Sequence, residues 1–224
     1  MISKLPRWIW SGAWILAFIA GMVNVVGLLG FEHHAITHLT GTTSMLAEAI
    51  ASANLQAVLH FTGLIGSFVA GTVISGFLIQ DSTLQLGRRY GVALLLESAL
   101  LSASAVLLSR NNVYGIFSAS CACGLQNAMV TTYSGTVIRT THLSGMFTDL
   151  GIFLGHTLRG LPVDKRRIRL CGLVISGFLA GGIAGTLTFQ RFGYAALTVP
   201  AVLTAGAAFA YALYRVRVQR KALW

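Results

Sequence analysis

Charged side chains are scarce in this sequence. They make up 10% of its 224 residues, whereas hydrophobic residues make up 55% and the mean hydropathy is +0.74. A soluble domain carries about 25% charged residues, because its surface must face water. The shortage therefore excludes a soluble globular protein and indicates a chain with most of its surface in a lipid bilayer.

The sequence also lacks the regular alternation of apolar and polar residues found in membrane β-barrel strands. Its apolar segments are continuous and about 20 residues long, enough to cross a bilayer as helices. They predict an all-α, polytopic membrane helix bundle that forms one membrane domain over residues 1–224. The first apolar run, from Trp8 to Gly30, is longer than a signal-peptide core of ~7–15 residues, so we interpret it as a membrane helix.

Signatures of catalysis and metal binding are missing as well. There is no Gly-x-Ser-x-Gly elbow, His-Glu-x-x-His pair or phosphate-binding loop, so we predict that the protein is not an enzyme. The cysteines Cys121, Cys123 and Cys171 lie in apolar segments, at spacings that favour neither disulfides nor a zinc site. We therefore expect no metal and no cofactor.

The basic residues are placed as in a membrane protein rather than as in a nucleic-acid-binding protein. The net charge is +10, but Lys and Arg stand at the ends of the apolar segments, which argues against nucleic-acid binding. With the N-terminus in the cytoplasm, 14 of the 16 Lys and Arg fall inside, as the positive-inside rule requires. We predict cytoplasmic termini and six transmembrane helices at approximately 8–30, 57–79, 90–109, 112–134, 168–189 and 193–214.

An internal repeat relates the two halves of the chain. The phrase THLTG at 37–41 returns as THLSG at 141–145, GMVN at 21–24 returns as GLQN, and FVAG at 68–71 returns as FLAG, in the same order. We predict a duplication, with repeat 1 at about 8–109 and repeat 2 at about 112–214. Each repeat has three spans, an odd number, so the second enters the membrane from the opposite side. Such a 3+3 inverted repeat occurs in many transporters.

The two THL phrases introduce segments 39–53 and 143–158. These segments are apolar enough for helices, but in the predicted topology they do not cross the membrane completely. They are half-length or re-entrant helices, or amphipathic helices at the interface. A Thr or Ser cap would leave free backbone N–H groups at each helix start, and Gly41 and Gly145 allow close backbone approach. We expect the two helix starts to face each other and form one polar site.

Polar residues in or beside the spans are the candidates for a substrate pathway. Glu97 lies in the middle of a span, so it must face the interior, either protonated or paired. For every candidate a structural hydrogen bond or cap remains the alternative. The candidates are Asn24, Thr37, His38, Thr40, Gly41 and Glu97 in the first repeat, and Asn127, Thr141, His142, Ser144, Gly145 and Asp149 in the second.

The ordered phrases THLTG, GLQNA and RTTHLSGMFTDLG resemble the YoaK-like family of bacterial polytopic membrane proteins (domain of unknown function 1275) over approximately residues 10–215. The resemblance implies about six spans in a bacterial inner membrane and no particular substrate. Repeat 1 has Ser44 and Met45 where repeat 2 has Thr148 and Asp149. A site shared by both phrases is therefore only approximately symmetric.

These observations favour a transporter or permease for a small molecule or ion, in which one repeat rocks against the other. The lipid bilayer, an unknown solute and a second copy of the chain are the expected partners. The alternative is a non-transporting scaffold or regulatory subunit. A membrane-embedded enzyme ranks third, since it would need a nucleophile or metal near Glu97 or Asp149.

Overall fold

Residues 7–30, 39–79, 88–134 and 140–221 are described by a computed structural model of the chain. Within them every regular element is helical and no strand occurs, so the predicted all-α fold is confirmed. The helices are α1 (Arg7–Gly30), α2 (Leu39–Ala51), α3 (Leu55–Leu78), α4 (Arg88–Ser109), α5 (Tyr114–Ser134), α6 (Leu143–Leu158), α7 (Lys165–Phe192) and α8 (Thr198–Lys221), with a 3-10 helix at Gly193–Leu197.

Six of these helices are long and lie at the six predicted spans. The shortest of the six, α5, has 21 residues, which extend for about 32 Å. A polar turn at 110–113 separates α4 from α5, at the junction of two predicted spans. Before α5, the Asn112 side chain accepts a hydrogen bond of 2.9 Å from the backbone N–H of Tyr114.

Four stretches of the described chain are long and apolar enough to cross a membrane: Trp10–Gly30, Leu55–Leu78, Arg89–Ser109 and Lys165–Val216. The last stretch contains α7 and most of α8. The helix α5 falls outside them because its amides and hydroxyls lower its hydropathy. It packs against α3 and α4, and polar residues in a membrane protein belong on such interior helices.

Two apolar clusters at opposite ends of the bundle give the direction of each long helix. The first cluster joins the N-terminal halves of α1, α4 and α7 to the C-terminal halves of α3, α5 and α8, through Ala13, Leu94, Val174, Leu78, Met129 and Tyr211. The second cluster joins the opposite halves, through Val23, Leu101, Phe189, Phe61, Ile116 and Ala201. Helices α1, α4 and α7 therefore run one way, and α3, α5 and α8 run the other way.

The short helices α2 and α6 are confined to opposite ends of the bundle. Residues of α2 join only the second cluster, and residues of α6 join only the first. Their 13 and 16 residues extend for about 20 and 24 Å, less than the ~30 Å hydrocarbon core. Within the described chain, α2 packs on α3 and α6 packs on α7. This differs from the expected single site, because the two helix starts lie at different ends.

Glycines bring two pairs of long helices into backbone contact. On α1 and α7, a Cβ at Gly21 would overlap the carbonyl oxygen of Phe178, and a Cβ at Gly181 would overlap that of Phe18. On α5 and α3, a Cβ at Gly124 would overlap the carbonyl oxygen of Phe68, and one at Gly71 that of Cys121. The two crossings use repeat-equivalent positions: Gly21 matches Gly124, and FLAG on α7 matches FVAG on α3.

The caps of α3 and α7 are equivalent too. The Asn54 side chain accepts a hydrogen bond from the backbone N–H of Ala57 at 3.1 Å. The Asp164 side chain accepts hydrogen bonds from Arg166 and Arg167 at 2.9 and 3.4 Å. Both residues therefore satisfy free N–H groups at a helix start, each in the connection that follows a short helix.

Candidate functional site

A buried acid occupies the middle of the bundle. Glu97 lies on α4 between Leu94, which belongs to the first apolar cluster, and Leu101, which belongs to the second. Its residue is 2% exposed, and its Oε2 atom has no hydrogen-bond partner among the described residues. The thiol of Cys123 on α5 is close enough to interact with it electrostatically. The prediction that Glu97 faces the interior is confirmed.

Glu97 has no basic partner at its depth. The described residues at 10–30, 55–79, 90–109, 114–134, 170–190 and 198–214 include no Lys or Arg. A charged side chain at the centre of a membrane helix costs ~2.5–3.5 kcal/mol on insertion scales. An enclosed carboxylate without a countercharge is therefore unfavourable, and the arrangement favours the neutral acid. Of the two states predicted for Glu97, protonated or paired, the packing favours the first.

Gln126 is a buried polar residue that the sequence reasoning did not select. It is 2% exposed, and its Nε2 donates a hydrogen bond of 3.2 Å to the carbonyl oxygen of Leu16. This bond links α5 to α1, the helices that correspond in the predicted repeat. The available signal was its place beside Asn127 in the phrase GLQNA, where two neighbouring amides interrupt an apolar segment.

Asn127 and Thr141, two predicted site residues, are brought together. The Thr141 hydroxyl donates a hydrogen bond of 3.3 Å to Asn127 Oδ1, and the hydroxyl of Thr131 donates one of 2.7 Å to the Asn127 carbonyl oxygen. The neighbouring Thr140 is fully buried, and its Oγ1 has no partner in the described part of the chain. Thr141 of the second THL phrase therefore lies against the C-terminal half of α5.

The first repeat is described only in part. Asn24 is 7% exposed on α1, at the position that matches Asn127. The predicted residues Thr37 and His38 lie outside the described residues. Thr40 and Gly41 are exposed at the start of α2. No atom lies within 4 Å of a Cβ built at Gly41, so the close backbone approach predicted for this glycine is not made by any described residue.

The start of α6 differs from the predicted Thr or Ser cap. The capping position is His142, and its side chain makes no capping hydrogen bond. Its ring covers Gly145 instead, with Nδ1 2.6 Å from a Cβ built there. A larger residue at Gly145 would displace this imidazole, which explains the glycine. Ser144 lies inside α6 and is exposed. The prediction of a Thr or Ser cap is therefore wrong for α6.

Asp149 forms a salt bridge at the end of the bundle. Its Oδ2 lies 3.2 Å from Nη2 of Arg167 on α7, and the two side chains are 28% and 51% exposed. The Arg167 guanidinium also stands 5.8 Å from the centre of the Phe153 ring. A partly exposed pair of this kind contributes about 0–1 kcal/mol. Asp149 thus links α6 to α7 at the end of the bundle, whereas Glu97 lies between the two apolar clusters.

No group of three or more His, Cys, Asp and Glu in the described chain is arranged to hold a metal ion. The three cysteines are free thiols. The chemistry that the interior offers is therefore hydrogen bonding through amides and hydroxyls, together with one ionisable carboxyl group.

The sequence model of one protein family matches residues 12–210, and the family is described as protein of unknown function (DUF1275). No curated protein and no solved structure matches the chain significantly. The match covers α1 to α8, including both THL phrases, and agrees with the resemblance carried by those phrases. The chain belongs to the DUF1275 family of proteins of unknown function.

Proposed function

We propose that this protein is a membrane transporter for a small solute or ion, built from two inverted repeats of three spans each. The observation that carries the proposal is Glu97, an enclosed acid with an unpaired oxygen, placed between the two apolar clusters. A purely structural bundle gains nothing from such a residue, since leaving a buried polar group unpaired costs free energy. Intramembrane acids instead mark pathways for ions and solutes.

Three features support the inverted repeat. The glycine crossings of α1 with α7 and of α5 with α3 use matching positions. The caps Asn54 and Asp164 occupy matching connections. The short helices α2 and α6 lie at opposite ends of the bundle, as an inversion requires. The alternative of eight full crossings would make α1 and α3 parallel, whereas the two clusters make them antiparallel.

The first-cluster end is the cytoplasmic side in this proposal, and the membrane is the bacterial inner membrane. The basic residues of the α6–α7 connection and the start of α7 stand at this end, namely Arg159, Lys165, Arg166, Arg167 and Arg169. Arg110 and Arg191 stand at the other end. This distribution follows the positive-inside rule with both termini in the cytoplasm.

The moving units that we propose differ from the two halves of the sequence. Helix α1 of repeat 1 is held by backbone contact to α7 of repeat 2, and α5 of repeat 2 is held to α3 of repeat 1. The repeats are interleaved, so neither half can rock as one body. The units that can alternate are α1 with α7 and α3 with α5, joined across the centre by the Gln126–Leu16 hydrogen bond.

Solute uptake into proteoliposomes tests the proposal. The full chain is reconstituted and offered a panel of radiolabelled solutes and monovalent ions under an imposed pH gradient. Asn127→Ala removes the hydrogen bond from Thr141, in the turn before α6. Such a bond is worth about 1 kcal/mol in membranes, and a transport barrier raised by that amount would lower the uptake rate about fivefold. Asp149→Asn is the matched control and is expected to keep wild-type uptake, since its salt bridge is at the surface.

A panel that yields no uptake above empty liposomes would contradict the transporter proposal. Equal uptake by wild type, Asn127→Ala and Asp149→Asn would instead remove Asn127 from the pathway. Folding of each variant is checked by its elution as a single species in detergent.

A further inference from the structure

The six long helices contain one acidic residue away from their ends, and this residue is Glu97. The described parts of α1, α3, α5, α7 and α8 that lie inside the bundle have no Asp or Glu. Glu97 itself is 2% exposed, with Oε2 unpaired among the described residues. Within the described helices, any carboxylate that forms in this interior therefore forms at Glu97.

The titratable groups near Glu97 are few. Helix α5 presents the thiol of Cys123, which is 4% exposed. Helix α8 contributes Tyr211, but its ring packs at Gly91, almost two helical turns from Glu97. The Arg215 side chain interacts with Tyr211 at that same end.

The 3-10 helix and α3 also pack on α4, but their titratable side chains contact other residues than Glu97. The 3-10 helix carries Tyr194, whose ring contacts Gly30 and Phe189. Helix α3 carries His60, whose ring packs on Phe61 and Phe117 near the second cluster. No described basic group therefore faces Glu97 from any element that packs against α4.

We propose that the Glu97 carboxyl group is a proton-binding site. It is neutral in the enclosed state seen here and releases its proton when a rearrangement of the helix pairs admits water to Oε2. Resting on the proposed function, this makes the proton the coupling ion of transport. One proton binds to a carboxylate oxygen from one side of the membrane and leaves to water on the other side.

The geometry favours a proton over a metal cation. Hard cations require several oxygen ligands, whereas the neighbour identified across the α4–α5 contact is a thiol. No three-residue set of acids, His or Cys surrounds a common point in the described chain. A proton needs one oxygen atom and no further ligand, which matches a single enclosed carboxyl group.

Infrared spectroscopy of the full chain in liposomes tests this proposal. The difference between wild type and Glu97→Gln is expected to contain the carbonyl band of a protonated carboxylic acid at neutral pH. As the pH is raised, the band should decline reversibly, with the ratio of protonated to ionised Glu97 changing about tenfold per pH unit. Glu97→Asp should retain a shifted band, and Asp149→Asn should leave the band unchanged.

Two results would overturn the proposal. A difference spectrum without the band at every pH would mean that Glu97 is always ionised, and a band that never changes would mean that it never releases its proton. If Glu97→Gln does not fold, the shift between wild type and Glu97→Asp identifies the band. If the band titrates but the liposomes take up no solute, the transporter proposal fails and the proton site stands. If the liposomes take up solute but the band never changes, the proton site fails and the transporter proposal stands.

Discussion

Replacing Gly181 by alanine is expected to lower the free energy of unfolding by about 1–3 kcal/mol, the usual cost of overpacking a close contact. The new Cβ would overlap the backbone carbonyl of Phe18, and a backbone atom cannot rotate away as a flexible side chain can. Helices α1 and α7 would have to separate along their crossing. Reversible unfolding in mixed micelles measures the effect, with helicity as the signal.

The neighbouring Gly182 is the matched control. No atom lies within 4 Å of a Cβ built there, so Gly182→Ala should stabilise the chain by up to about 1 kcal/mol through helix propensity. Two glycines on α3 should differ in the same way, with Gly71→Ala destabilising and Gly76→Ala neutral or stabilising, because only Gly71 meets a carbonyl group. Equal effects at crossing and open glycines would contradict the backbone contacts.

The second large effect is expected from Glu97→Gln in the uptake assay of the reconstituted protein. Glutamine matches the shape of the neutral acid but cannot release a proton. Uptake driven by a pH gradient should therefore fall below about a tenth of the wild-type rate, a barrier increase of about 1.4 kcal/mol or more. Exchange of labelled for unlabelled solute at equal pH should continue, because that exchange needs no net proton movement.

Stability provides the control for this variant. An amide places no charge in the interior, so Glu97→Gln should be at least as stable as wild type in the same unfolding experiment. Loss of both driven uptake and exchange in a folded protein would show that Glu97 contacts the solute or its path. Undiminished driven uptake would contradict any role for Glu97 in coupling.

The elements that sequence could predict are those determined by local pattern. Continuous apolar runs located the six long helices, and the THL phrases located two helices too short to cross. The enclosed position of Glu97 also followed from the cost of a charge in hydrocarbon. Each of these conclusions needs only the composition of one segment and the thickness of a bilayer.

The features that sequence missed depend on which segments meet. The pairing of α1 with α7 and α3 with α5 comes from carbonyl–glycine contacts between distant segments, and the glycine pattern alone does not identify its partner. Asp149, which follows Gly145 by about one helical turn, is predicted to line a pathway, but its neighbour across the α6–α7 contact is Arg167. The role of Gln126 could not be predicted, because its acceptor is a backbone carbonyl on α1 and a backbone acceptor has no signature in the sequence.

The opposed orientation of the two repeats is the central claim, and sided labelling of two equivalent positions tests it most directly. Gln56 and Arg166 are exposed and stand two residues after the caps Asn54 and Asp164. Each is changed to cysteine, one at a time, in a chain whose native cysteines are replaced by alanine. A membrane-impermeant maleimide is then added to intact cells and to permeabilised cells.

With opposed repeats, Gln56→Cys is expected to react in intact cells and Arg166→Cys only after permeabilisation. Reaction of both positions from the same side of the membrane would contradict the inverted repeat, and with it the alternating helix pairs proposed for transport.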